Sequence, residues 1–243
     1  MSPPGRPSGT FRSAQHEGTA LSHHPGRATP AVPKRPALAA LLALALLAGC
    51  SGSLLPKPAP PPALYGLDDG ASLPTTRAPV PPGAPSLLLS PPRAGAGLDT
   101  RLIAYQRQPQ RIEHYAASEW LDTPARLLAP LLVRAVEGTG AFGAVLLAPA
   151  AASANWRLDT EILRLQQNFG SGPSQVRLTL RAVLVDTSSR AVLAAREFDA
   201  RVPAASDDAA GGVAAAQRAA LQVAQELAAF CAAAAAAAPR SGG

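Results

Sequence analysis

Between residues 155 and 202 the apolar side chains return at every second position, and that period dictates a sheet. Trp156, Leu158, Thr160 and Ile162 fall on one side of an extended chain, with Arg157, Asp159 and Glu161 on the other. Val176, Leu178, Leu180, Ala182 and Leu184 repeat the pattern, with Arg177, Thr179 and Arg181 opposite. Successive side chains of a strand point to opposite faces, so a period of two marks a half-buried strand. Thr187-Ser188-Ser189-Arg190 supplies a turn, and 191–202 returns as the third strand of a meander. If the first two strands pair antiparallel, their arginines are expected to meet Asp159 and Glu161 across the ladder, each contact contributing roughly 0.2–1 kcal/mol.

Around this meander the sequence predicts further strands and two helices. Residues 63–67 and 86–89 read as short strands separated by a proline-rich loop over 68–84, and 101–105 with 111–115 read as a hairpin. At 123 the period changes. Thr123 suits an N-cap and Pro124 a first helical position. Leu127, Leu131 and Ala135, beside Leu128, Leu132 and Val136, form a wide apolar helical face. Pro130 is expected to bend this helix, and Gly138 and Gly140 to end it. Residues 142–147 read as a strand entering the core. Asp207 and Asp208 open a long helix with the stripe Val213, Gln217, Ala220, Ala224, Leu227 and Cys231; its alanine run, 232–238, is expected to fray before Pro239. The order of elements argues for an α/β domain, with a mixed, largely antiparallel sheet and two main helices packed on it.

The segment before this body has a different logic. Residues 37–48 are an unbroken apolar run of 12, preceded by Lys34 and Arg35 and closed by Leu47-Ala48-Gly49-Cys50. A run of 12 is too short for a hydrocarbon core that needs about 20 residues. A positive flank, a short apolar segment and small residues before a cut point describe an export signal. The cysteine makes it resemble a bacterial lipoprotein signal, cleaved between Gly49 and Cys50, with Cys50 lipidated as the new N-terminus. Ser51, in place of an aspartate, points to the outer membrane in such lipoproteins. Residues 1–49 are thus read as signal with an extended leader, 50–62 as a proline-rich tether, 63–236 as the folded domain and 237–243 as a disordered tail.

Processing also changes the charge. Of 22 basic and 16 acidic residues, the first 49 hold Arg6, Arg12, Arg27, Lys34, Arg35 and Glu17, leaving 17 and 15, or a net +2. That is no electrostatic footprint for nucleic acid. Once Cys50 is acylated, Cys231 has no partner in the chain for a disulfide and is expected to pack as a small apolar residue. Beyond the leader His114 is the sole histidine, and no CxxC, HExxH, GxSxG or glycine-rich phosphate loop is present. Asp207-Asp208 reads better as a helix cap than as an acid–base pair. No nucleophile–base–orienter set can be assembled, so no catalytic residue, metal ligand or cofactor is assigned.

The ordered set Leu64-Tyr65-Gly66-Leu67, Gly97-Leu98-Asp99-Thr100, Leu102-Ile103-Ala104-Tyr105, Tyr115, Trp120 and Gly138-Thr139-Gly140-Ala141-Phe142 resembles the ABC-type transport auxiliary lipoprotein family over about 63–236. The resemblance implies an α/β sandwich similar to the N-terminal domain of the translocation protein TolB. It also implies a non-enzymatic, lipid-anchored, periplasm-facing accessory of an MCE-type lipid transport system at the outer membrane, working with an MCE-type periplasmic protein, an ABC permease and an ATPase. A structural or assembly lipoprotein of the envelope is the alternative, and homo-oligomerisation stays open. Tyr115 and Trp120, near a loop-to-helix junction, are candidates for a partner surface; the competing reading makes both core aromatics.

Overall fold

The alternation between 155 and 202 becomes the spine of a mixed sheet in the computed structural model, which describes residues 60–68, 78–170 and 172–238. These residues form β1 (Ala63–Tyr65), β2 (Leu87–Leu89), β3 (Arg93–Ala94), β4 (Leu102–Gln108), β5 (Arg111–Trp120), α1 (Pro124–Gly138), β6 (Val145–Leu147), β7 (Trp156–Asn168), β8 (Gln175–Asp186), β9 (Val192–Pro203) and α2 (Ala209–Ala237). The fold is α/β, as the order of elements predicted.

β7 organises the sheet. One of its edges pairs antiparallel with β8 along its whole length, and β8 pairs antiparallel with β9. Its other edge is shared by three short parallel neighbours: β2 at Trp156 to Leu158, β3 at Glu161 and Ile162, and β4 at Gln167 and Asn168. β6 lies outside β2, while β4 continues to β5 as an antiparallel hairpin and β5 to β1. Midway along β7 the register slips, with Ile162 opposite Leu180 and Arg164 opposite Thr179. Leu163 is the extra residue of a bulge, and it changes which residues face inward. Before it Trp156, Leu158, Thr160 and Ile162 are buried; after it Leu165 and Gln167 are.

The two helices pack against one another, with α2 also against β8 and β9 and α1 against β6 and β3. α1 begins at Pro124 as read, but the Thr123 hydroxyl makes no capping bond. Its apolar face buries Leu128, Leu131, Leu132, Ala135 and Val136, and the helix runs without interruption through Pro130, which is exposed. Gly140 closes it at φ +66°, with Ala78 of the proline-rich loop so near that a Cβ would strike its carbonyl. The strand expected over 142–147 is shorter, Val145–Leu147.

α2 has 29 residues and holds an 18-residue window with a mean hydropathy of 1.4, enough by length and composition to cross a membrane. Instead it lies along the sheet, with its own Val213, Ala216, Ala220, Ala224, Leu227 and Cys231 buried. Gln217 of the expected stripe sits at its margin, where its Nε2 donates to the Gly66 carbonyl at 3.0 Å. The alanine run stays helical to Ala237, because Ala234, Ala235 and Ala238 pack partly against the core.

Candidate functional site

Both ends of the expected α2 cap are used, for different tasks. Asp208 Oδ1 accepts from the Gly211 N–H at 2.8 Å and caps the helix. Asp207 Oδ1 accepts from the Ser174 N–H at 3.0 Å and ties the loop between β7 and β8 to the same point. Ser174 Oγ accepts from Gln167 Nε2 at 2.8 Å, and Gln167 Oε1 accepts from the Tyr115 hydroxyl at 2.8 Å. The result is one hydrogen-bonded chain from β5 through the sheet to the helix N-terminus, centred on a glutamine that is 2% exposed. α2 approaches this glutamine so closely that a Cβ at Gly212 would fall on Oε1.

The two aromatic residues singled out in the sequence therefore part company. Trp120 is 3% exposed and belongs to the core, sharing the wall of a void of about 10 Å³ with Gln167 and Gly212. It offers no ring to a partner, which corrects that half of the expected surface. Tyr115 is half-buried, and burial pushes its hydroxyl up to about 12. Its ring lies 4.7 Å from that of Tyr105, which lies 5.8 Å from Phe169. The Arg107 guanidinium stands 5.0 Å over Tyr105 and 5.7 Å from Phe169, within cation–π range. Tyr115 thus belongs to an aromatic group whose other members the sequence did not single out, because Tyr105 and Phe169 meet only once β4 and β7 are paired. Gly49 and Cys50 lie outside the described residues.

The opposite face of β7, β8 and β9 is polar, and among the described residues no helix covers it. The ion pairs expected there form differently. Arg177 donates to Asp199 of β9 at 2.6 Å, and Arg181 approaches Glu197 at 3.9 Å. Asp159 is held by its own strand neighbour Arg157 at 2.9 Å and by the Ser90 hydroxyl at 2.6 Å. Register accounts for part of this: Arg177 faces Gln166 and Asp159 faces Val183, whereas Arg181 lies between Glu161 of β7 and Glu197 of β9 and is paired with Glu197. Asp199 also accepts from the Thr179 hydroxyl at 2.7 Å and from Arg201 at 3.2 Å. These bonds, that from Arg177 first, hold its carboxyl down from the usual 3.8 to about 2.

Where β4 approaches β7, this face sinks into a cavity of about 310 Å³ lined by Gln106, Arg164, Gln166, Asn168, Gln175, Arg177 and Arg201. Gln166 Nε2 donates to Gln106 Oε1 at 3.0 Å and to Asn168 Oδ1 at 2.7 Å, which fixes the amide floor. The three arginines come from separate strands, so sequence spacing gave no sign of them; the bulge at Leu163 is what turns Arg164 outward. No three His, Cys, Asp or Glu side chains gather to hold a metal among the described residues. His114 is exposed on β5.

The described residues thus form a helix-backed sheet with a bare polar face and a buried hydrogen-bonded network at its centre. The chain belongs to the family of ABC-type transport auxiliary lipoprotein components, whose model matches residues 65–228. Among solved structures it is similar to protein XCC0632 from Xanthomonas campestris, at 25% identity and a TM-score of 0.59 over 71% of this chain and 95% of that one. A second, uncharacterised protein matches at 12% identity and a TM-score of 0.55, over 71% and 99% respectively. The hypothetical protein CT253 from Chlamydia trachomatis matches at 12% identity and a TM-score of 0.47, over 63% and 98%. Comparison with curated proteins returned no match.

Proposed function

We propose that this protein is a lipid-anchored, non-enzymatic accessory of an ABC-type transport system, facing the periplasm from the outer membrane. The observation that carries the reading is the sequence Leu47-Ala48-Gly49-Cys50 ahead of a proline-rich segment, in a chain whose family consists of transport auxiliary lipoproteins. Cleavage before Cys50 and acylation of its thiol would place two or three acyl chains at the N-terminus. Each buried methylene contributes about 0.8 kcal/mol, so one chain binds marginally and two or more hold firmly. Prolines at 56, 58 and 60–62 favour extended backbone, which would let the domain stand off the bilayer.

The role is positional. Carrying a lipid through water exposes acyl surface at about 25 cal/mol per Å², so a conduit between two membranes must meet its target bilayer without a gap. An anchored domain that grips the far end of such a conduit would supply that alignment, while ATP hydrolysis takes place on another subunit. The partners are then an MCE-type periplasmic protein and its ABC permease and ATPase, and the cargo is lipid.

Two measurements test this. Mass spectrometry of the protein from its native host should find Cys50 acylated, with residues 1–49 removed. Affinity purification from detergent-solubilised envelopes at native expression should recover an MCE-type protein. An unacylated Cys50 still joined to the preceding residues would overturn the anchor. Crosslinks confined to peptidoglycan or an outer-membrane assembly machine would overturn the transport role.

A further inference from the structure

The uncovered face of the sheet carries a positive charge that its own acids do not balance. Arg177 and Arg201 are directly opposite each other in the β8–β9 ladder. Like charges in that position repel, and strands ordinarily avoid them. Asp199 lies close to both, accepting from Arg177 at 2.6 Å and from Arg201 at 3.2 Å. One carboxylate therefore serves two guanidiniums. Arg164 of β7 faces Thr179 of β8, two residues along β8 from Arg177, and among the described residues no acidic side chain pairs with it. Three guanidiniums and one carboxylate leave an excess of two positive charges around a cavity of about 310 Å³.

The lining limits what could balance them. All seven residues are polar, and the amides of Gln106, Gln166 and Asn168 form a fixed floor. An acyl chain placed there would strand these groups without hydrogen bonds. Guanidinium groups present forked donors that match the oxygens of carboxylates and phosphates, and three of them line this one cavity. The volume is at the lower end of the ~300–1,000 Å³ of small-molecule sites, which suits a phosphate or a phosphate ester with small substituents.

We propose that the cavity between β4, β7, β8 and β9 binds a phosphate-ester group, held by Arg164, Arg177 and Arg201 over the amide floor. Two sources offer this chemistry: the headgroup of an anionic phospholipid at a membrane surface, and a soluble phosphate. The site does not depend on the anchor or on a transport partner, so it stands or falls separately from the accessory role.

Calorimetric titration of the full chain, solubilised in a phosphate-free neutral detergent, tests it with three water-soluble probes. These are glycerophosphoglycerol (the deacylated headgroup of phosphatidylglycerol), inorganic phosphate and inorganic sulfate. At least one phosphate probe should bind more tightly than sulfate, with an affinity that falls as salt rises. Tighter binding of glycerophosphoglycerol assigns the group to lipid, and tighter binding of inorganic phosphate to a soluble ligand; both support the site. Arg164→Gln and Arg201→Gln should each weaken binding about tenfold or more, the loss expected for one charged hydrogen bond. Arg201→Lys should recover part of that loss, because it keeps the charge without the fork. Arg201 has a side chain 55% exposed and leaves the Arg177–Asp199 pair intact, so its variant keeps the test readable if Arg164→Gln disturbs folding. Absence of binding by both phosphate probes, equal binding of sulfate, or binding that survives both substitutions would overturn the proposal.

Discussion

Thr160 is the residue at which the core departs from its own rule. It occupies an inward position of β7 opposite Ala182, is 2% exposed, and its hydroxyl has no hydrogen-bond partner. A buried hydroxyl without a partner costs about 1–3 kcal/mol in desolvation. Valine keeps the branched shape and replaces that oxygen with a methyl group. Thr160→Val should raise stability by about 1 kcal/mol, read as a higher urea midpoint with an unchanged slope. A lower midpoint would mean that the hydroxyl is satisfied in solution. Gly212 poses the reverse case, because its missing Cβ makes room for the Gln167 amide. Gly212→Ala should cost about 1–3 kcal/mol by overpacking. The cost should shrink in a Gln167→Ala background, where the obstructing amide is gone. Equal costs in the two backgrounds of this double-mutant cycle would show that the two sites do not couple.

At the scale of elements, what could be read in advance was whatever depends on neighbours in sequence. The period of two placed β7, β8 and β9 within a residue or so, and the Pro124 start and glycine end of α1 fell where their chemistry dictates. The Asp186 carboxylate explains the predicted turn: it accepts from the Ser188 and Ser189 N–H groups at 3.0 and 2.8 Å. What depends on register was hidden. No glycine or proline marks the bulge at Leu163, so the shift of the buried set from Ile162 to Leu165 had no local signal. The same is true of Arg177, whose partner is decided by where β9 falls against β8, and of Trp120, whose burial follows from α2 closing over it. The bulge makes an asymmetric prediction about single-residue deletions. Removing Leu163 leaves Ile162, Leu165 and Gln167 in strict alternation, so the strand keeps every inward residue. Removing Thr179 from the unbulged β8 turns half of that strand's apolar residues outward. The Leu163 deletion should therefore retain a cooperative thermal transition, at a loss of about 1–3 kcal/mol, and the Thr179 deletion should abolish it. Equal loss in both would show that Leu163 contributes something beyond its register.

Taken as a whole, the molecule should have a stability plateau bounded by different residues on its two sides. On the acid side, Asp199 and Asp186 are held at about 2 from the usual 3.8, the first chiefly by Arg177 and the second chiefly by the Ser188 hydroxyl. Their ionised forms are favoured in the folded chain, so their contribution is present above 3.8 and is lost as pH falls toward 2. On the alkaline side the sign reverses. Cys231, on the inward face of α2, is fully buried, and burial alone pushes its thiol from 9.0 to about 12; Tyr115 rises from 10.0 to about 12, chiefly by burial. Between these values the unfolded chain releases protons that the folded chain keeps. Stability must then decline with rising pH, by at most about 1.4 kcal/mol per pH unit for each group. The two groups separate because they begin at different points. In Cys231→Ala the decline should start near 10, where the unfolded tyrosine ionises, rather than near 9. The same variant also loses packing, which lowers the whole curve without changing where it bends. Urea midpoints measured from pH 7 to 11 distinguish these effects. A curve that is lower but still begins its decline at the wild-type pH would show that the Cys231 thiol ionises as freely in the folded chain as in water, and that α2 does not seal the core at its last turns.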